Sequence, residues 1–299
     1  MLERLRPVLD TVDLAVCHLE TPIAPEGGDL STAPIYGVPA EIVDAIAAAG
    51  YDRCSTASNH SLDRGAAGID RTVGTLESVG LEQAGMARTP QEIAPRVFDV
   101  AGVAVTHLSY TFSFNGLRPP PGEEWRSALI DPFRIVTDAM AARQLGAEVV
   151  IVSLHWGVEG ANEPSEWQRQ IAEGITASGA IDLVVGHHAH VLQPIEEING
   201  TWVVFGLGNI LSNHPTDANW PAGTQDAGVA VVEFTVAAGG DVTVSAPVLH
   251  PTWVDKGAGF VVRVVAADLA GTEVGDATRR QLEASLERTR LVVGPFLAP

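Results

Sequence analysis

The chain has no run of 18 apolar residues, so the sequence holds no helix that could span a membrane. Cysteine is scarce: Cys17 and Cys54 are the only two, which excludes a disulfide-rich scaffold and a four-cysteine zinc site. Both sit in expected strands and read most simply as buried small hydrophobes. Positive charge is scarce too. Lys+Arg 18 against Asp+Glu 37 leaves a formal charge of -19, which repels phosphate backbones and excludes a non-specific nucleic-acid binder. An anionic substrate then needs a local positive centre, which metal ions supply most simply. There is no Walker-type phosphate loop and no nucleophile elbow. FGLGN offers Gly206 and Gly208, but Leu211 stands where the third glycine of a dinucleotide fingerprint belongs. MLERLRPVLD carries charges where a signal peptide needs its apolar stretch, so the sequence as it stands reads as cytoplasmic.

What is present suits a packed core. Of 299 residues, 46% are hydrophobic and 18% charged. At roughly 150 residues per domain this is one large domain or two ordinary ones. No linker-like run divides it, so a single domain over 1–299 is expected, with a peripheral last helix near 275–289. Short apolar runs at 13–17, 52–57, 103–109, 149–154 and 182–185 read as strands. They alternate with helical spacing at 39–49, 66–78, 131–145 and 165–178, the pattern of an α/β fold with a largely parallel core. Beyond residue 190 the pattern becomes antiparallel. Asn199-Gly200 marks one hairpin between 191–198 and 201–205, and Gly239-Gly240 a second between 229–236 and 242–248. The proline-rich 117–125 reads as a surface excursion that could act as a lid.

The nine histidines carry most of the functional information. His18, His60, His155, His187, His188 and His190 each follow an expected buried strand, and the carboxyl ends of strands are where ligands bind in open α/β sheets. In VVGHHAHV, His188 and His190 stand two apart, which lets both imidazoles reach one or two metals from an extended segment. Glu20, two beyond His18, adds a carboxylate able to bridge two cations. Asn59-His60 pairs a hard amide oxygen with an imidazole able to donate a proton to a leaving group. Glu159, in LHWGVEG, could orient a ligand or water, or stand as an exposed acid.

In order, DLAVCHLETPIAPEGG, VPAEIVDAIAAAGYDRCSTASNHSLDRG, VVIVSLHWGVE and DLVVGHHAHVLQPIEEINGTWVVFGLGNIL resemble the bacterial capsule-synthesis CapA (poly-γ-glutamate synthesis) family, part of the calcineurin-like metallophosphoesterase superfamily. The resemblance runs over about residues 10 to 215. It implies a four-layer β-sandwich flanked by helices, with a site for two divalent ions (Mn, Fe or Zn) at strand ends. Glu20 would bridge them, Asn59, His155, His188 and His190 would be ligands, and His18 and His187 further candidates. His60 would be the catalytic histidine; Glu159 joins it as a candidate catalytic residue on its own place in LHWGVEG. The implied function is metal-dependent phosphoester hydrolysis on an anionic small molecule or polymer, with capsule or poly-γ-glutamate synthesis proteins as partners. The alternative is a non-catalytic accessory protein of an envelope polymer assembly. The superfamily's opening Asp-bearing strand has no counterpart before Asp13. A start site chosen too late would remove that strand and an export signal together, and an extended chain would then belong to the cell envelope.

Overall fold

The computed structural model describes residues 1–215, 220–237 and 239–298. The chain forms two compact units, one of Asp13–His155 with Ser178–Ile181, the other of Met1–Val12, Trp156–Ala177 and Asp182–Pro299. A one-turn helix, α1 (Arg6–Leu9), opens the chain within the second unit.

The first unit holds two groups of strands. β1 (Val16–His18), β2 (Arg53–Ser55) and β3 (Glu82–Ala84) form a parallel sheet, linked through α2 (Glu41–Ala49) and α3 (Gly65–Ser78). α2 turns Val43, Ile46 and Ala49 inward at helical spacing. It stops at Gly50, whose φ of 101° closes the last turn in the left-handed region that glycine alone enters without penalty. α3 buries Ile69 and Val73 with Leu62, Met86 and Phe114. β4 (Phe98–Val100) pairs antiparallel with β5 (Val103–Thr111), and β5 pairs parallel with β6 (Val149–His155). α4 (Pro132–Gln144) crosses between β5 and β6. Asp131 caps it by accepting from Phe133 and Arg134 backbone N–H groups, and Pro132 occupies the first helical position. Every residue of β6 is buried, as a continuous apolar run requires when both faces are covered.

The second unit begins with α5 (Glu166–Thr176), closed at its start by a reciprocal Ser165–Gln168 capping box. β7 (Leu183–His187) runs parallel to β9 (Thr201–Leu207), and β8 (Leu192–Ile198) joins β9 as the hairpin expected at Asn199-Gly200. β10 (Asp226–Val231) opens a separate antiparallel group. β11 (Phe234–Val236) and β12 (Val242–Val244) form the second expected hairpin, narrower than the apolar runs around it because their outer ends join β10 and β13 (Val248–Asp255). β13 also pairs with β14 (Val261–Val264), which leads into α6 (Val265–Ala270) and α7 (Asp276–Val293). α7 packs Leu282 on Trp253 and Val265, and Val293 on Leu192 and Leu249. Its Arg288 holds the buried carboxylate of Asp226 with two bonds of 2.6 and 2.8 Å.

The mixed α/β class expected from the sequence is the class observed. Among the described residues no helix is long and apolar enough to cross a membrane. One expectation is corrected. Cys17 and Cys54 are not separate buried thiols but a disulfide, because β1 and β2 pair in a register that sets Cys17 against Cys54 with Cα atoms 4.4 Å apart. The bridge closes a loop of sequence separation 37. Its reduction, or the double variant Cys17→Ala/Cys54→Ala, should lower stability by about 2–4 kcal/mol through the freed unfolded chain. Thermal unfolding with and without a phosphine reductant measures this, and an unchanged midpoint would exclude the bridge.

Candidate metal centre

In the first unit, the sequence-selected residues meet at the carboxyl ends of strands. His18 ends β1, Ser55 ends β2 directly opposite it, and His155 ends β6. Asn59 and His60 lie on the turn between β2 and α3. Ser58 anchors that turn: its hydroxyl accepts from His60 N–H and donates to Glu20 O, which ties Glu20 to the same place.

The rings form a connected chain. His18 Nδ1 lies 2.8 Å from Ser55 Oγ, His18 Nε2 lies 2.9 Å from His155 Nδ1, and His155 Nε2 lies 2.8 Å from Asn59 Oδ1. The two imidazoles stack at 5.0 Å. Ser55 Oγ also reaches Cys17 O at 3.3 Å, an atom that can only accept. His155 Nε2 faces the carbonyl oxygen of Asn59. Glu20 Oε1 stands 3.8 Å from the same nitrogen. An imidazole nitrogen, an amide oxygen and a carboxylate oxygen brought this close are a donor set that a divalent cation fits. Two donors on one divalent ion, each at about 2.1 Å, stand about 3–3.5 Å apart, close to the spacing found.

His60 is held differently. Its Nδ1 donates to Asp63 Oδ2 at 2.7 Å, and the Asp63 side chain is fully enclosed and accepts Tyr36 N–H on the same oxygen. That bond fixes the tautomer, and Nε2 is turned to Glu20 Oε1 at 4.0 Å. Tyr36 packs edge-on against the ring at 4.6 Å.

In the second unit, His187 ends β7, and burial pushes its imidazole down to about 3, so it is neutral at any ordinary pH. His188 and His190 follow with φ of 89° and 58°, left-handed backbone that costs a non-glycine residue about 1–3 kcal/mol each. Strain of that kind, held on two histidines of one short turn, is what a ligand loop carries. His190 Nδ1 donates to Asn209 Oδ1 at 3.0 Å, so its Nε2 keeps the lone pair, the orientation that second-layer partners impose on metal ligands. His188 and His190 rings stand 5.8 Å apart. His214 packs on His190 at 4.6 Å and on Trp220 at 3.9 Å; burial, then the nearby His190 and Lys256, push it down to about 4. Trp156 packs: it is fully buried, stacks on Phe205 and donates to Phe205 O at 3.0 Å. Glu159 lies on an exposed turn whose next residue, Gly160, donates its N–H to Ala189 O.

Asp63 and Asn209 escape sequence reasoning, although signals exist. Asp63 stands three beyond His60 within a turn, and Asn209 closes the FGLGN run read above only for its glycines.

The family model for bacterial capsule synthesis protein PGA_cap matches residues 1–214. The chain belongs to this family. Among curated relatives, it is 32% identical to PGA biosynthesis protein CapA of Bacillus subtilis over 163 residues, 52% of this chain and 41% of that protein. It is 30% identical to a probable polyglutamine synthesis accessory protein of Mycobacterium tuberculosis, across 68% of this chain and 56% of that one. The chain thus spans about half the length of the curated relatives it matches. A solved calcineurin-like phosphoesterase, YfkN of Bacillus subtilis, is similar at 16% identity and a TM-score of 0.46, covering 83% of this chain and 73% of that one.

Proposed function

We propose that this PGA_cap family member is a metal-dependent phosphoesterase-like hydrolase acting on an anionic small molecule or polymer. The observation that carries the reading is the convergence of Glu20 Oε1, Asn59 Oδ1 and His155 Nε2 beside the Asp63-held His60. Hard oxygens mixed with imidazole suit manganese, iron or zinc. Glu20, Asn59 and His155 are one donor set, and His188 with His190 the other. A divalent ion supplies the positive charge that a phosphoryl group needs and the acidity that makes water a nucleophile at neutral pH. The residues of the chain do the rest. His18 and Ser55 hold the His155 ring in place, and Asn209 does the same for His190. Asp63 holds the His60 ring through Nδ1 so that Nε2 faces the site, placed to pass a proton to the leaving group.

Mass spectrometry of bound metal after manganese loading and dialysis tests this. About two ions per chain are expected, with less in His155→Ala and in His190→Ala. Unchanged occupancy in both variants would overturn the donor assignment.

The second reading, an accessory protein of envelope polymer synthesis, is favoured by the similarity to a probable polyglutamine synthesis accessory protein. Metal-dependent hydrolysis of a generic phosphodiester separates the two, and co-purification with polymer-synthesis proteins favours the second. The Cys17–Cys54 disulfide supports an envelope location under either reading, because such bonds are rare in the reducing cytosol.

A further inference from the structure

A cavity of about 40 Å³ lies in the first unit, lined by none of the candidate metal donors. β2 contributes Arg53, β5 His107 and Tyr110, α4 Arg134, and the segment after β3 Glu92 and Arg96. A cavity needs about 10–15 Å³ to hold one water. The space therefore takes about three waters, the size of a carboxylate or phosphate group and too small for a nucleotide or sugar.

The charge of the wall opposes that of the chain. Three of the four ionised side chains lining it are arginines, in a protein of net charge -19. The one acid, Glu92, is already neutralised by Arg88, which reaches it through its backbone N–H, Nε and a terminal nitrogen at 2.7–3.2 Å. Asp138 lies behind the wall, holding the Tyr110 hydroxyl at 2.8 Å and Arg134 Nε at 3.4 Å.

Arg53 is the decisive residue. It is 5% exposed, with Phe98 covering its guanidinium at 3.9 Å. Its ion-pair partner, Glu82, is 3.2 Å away, but that side chain is 66% exposed and therefore spread into water. Arg53 Nε is buried with no hydrogen-bond partner among the described residues. Burial pushes the guanidinium down to about 10, against the pull of Glu82 and Asp52, so it is still a cation at neutral pH. A buried cation with an idle donor is costly unless an anion satisfies it. A planar guanidinium presents its donors in the geometry that oxyanions match.

We propose that this cavity binds a small oxyanion, of carboxylate or phosphate size, anchored by Arg53 at its buried wall and by Arg96 at its exposed rim. The ligand sits apart from the metal donors, so the inference holds whether or not the chain is a hydrolase.

Calorimetric titration of the full chain, dialysed against EDTA, with inorganic phosphate and separately with acetate tests it, at constant ionic strength with chloride as the reference. Saturable binding of at least one anion is expected, and which one it is separates a tetrahedral from a planar preference. Arg53→Met keeps the apolar stem over Phe98 and should weaken binding about 10-fold or more, as loss of a charged hydrogen bond does. Arg96→Gln, on the surface, should weaken it by a smaller resolvable factor, and His155→Ala should leave it unchanged. The proposal is overturned by absence of saturable binding, or by binding lost in His155→Ala. Wild-type affinity in folded Arg53→Met also overturns it, and Arg96→Gln decides if that protein does not fold.

Discussion

Replacing His60 with Asn should leave bound metal intact and lower phosphodiester hydrolysis by about 10²–10⁴-fold, the range a positioned acid contributes. The size of the loss should depend on the leaving group. A nitrophenolate departs without help, so a nitrophenyl ester should lose little. An alkyl phosphodiester leaves as a strongly basic alkoxide and should lose most of that factor. This contrast follows from the geometry: His60 Nδ1 is committed to Asp63 at 2.7 Å, which leaves Nε2 as the one nitrogen free to deliver a proton. Asp63→Asn removes the carboxylate that holds His60 Nδ1 at 2.7 Å. As a positioning residue, Asp63 should matter more for the alkyl substrate than for the nitrophenyl ester, with the metal content unaltered. Equal losses for both leaving groups in His60→Asn would instead make His60 a binding or structural group.

The second large effect is on stability. Gly186, within β7, has no room for a side chain: an added Cβ would lie 1.9 Å from Phe205 O and 2.4 Å from Trp156 Nε1. Those two atoms are hydrogen-bonded to each other at 3.0 Å across the buried face. β7 and β9 are locked in parallel register from Leu183↔Trp202 to Val185↔Val204, so the strands cannot part at this one point without breaking the ladder. Gly186→Ala combines overpacking with a buried indole N–H deprived of its acceptor, about 3–5 kcal/mol together. Urea unfolding followed by tryptophan fluorescence should show a lower midpoint. A midpoint equal to that of the parent protein would mean the strands are not packed as described. The clash lies one residue before His187 and two before His188, so a surviving fold should also hold metal less well.

Much of this architecture is legible from local pattern. Apolar runs and helical spacing locate β5, β6, α3 and α5 within one or two residues, since burial of a continuous face leaves a period in the chain. Asn199-Gly200 marks its hairpin because few residue pairs accept that turn. The histidines at strand ends and the Asn59-His60 pair stand out for a similar reason: polar side chains directly after apolar strands contradict the surrounding burial. The ends of short strands are less legible. β1 begins at Val16 rather than Asp13, because only three of its residues find partners on β2.

What the linear order could not hold is which side chains meet. Cys17 opposite Cys54 and His18 opposite Ser55 are consequences of one strand register, and register is set by long-range pairing, not by either segment alone. The same applies to the tautomers: Asn209 fixes His190 and Asp63 fixes His60 through bonds that depend on where a turn places an oxygen. The left-handed backbone at His188 and His190 runs against the preference of both residues, so no propensity announces it. Composition and periodicity report what is buried and with what repeat. Partner choice, proton placement and local strain arise only when distant segments are packed together.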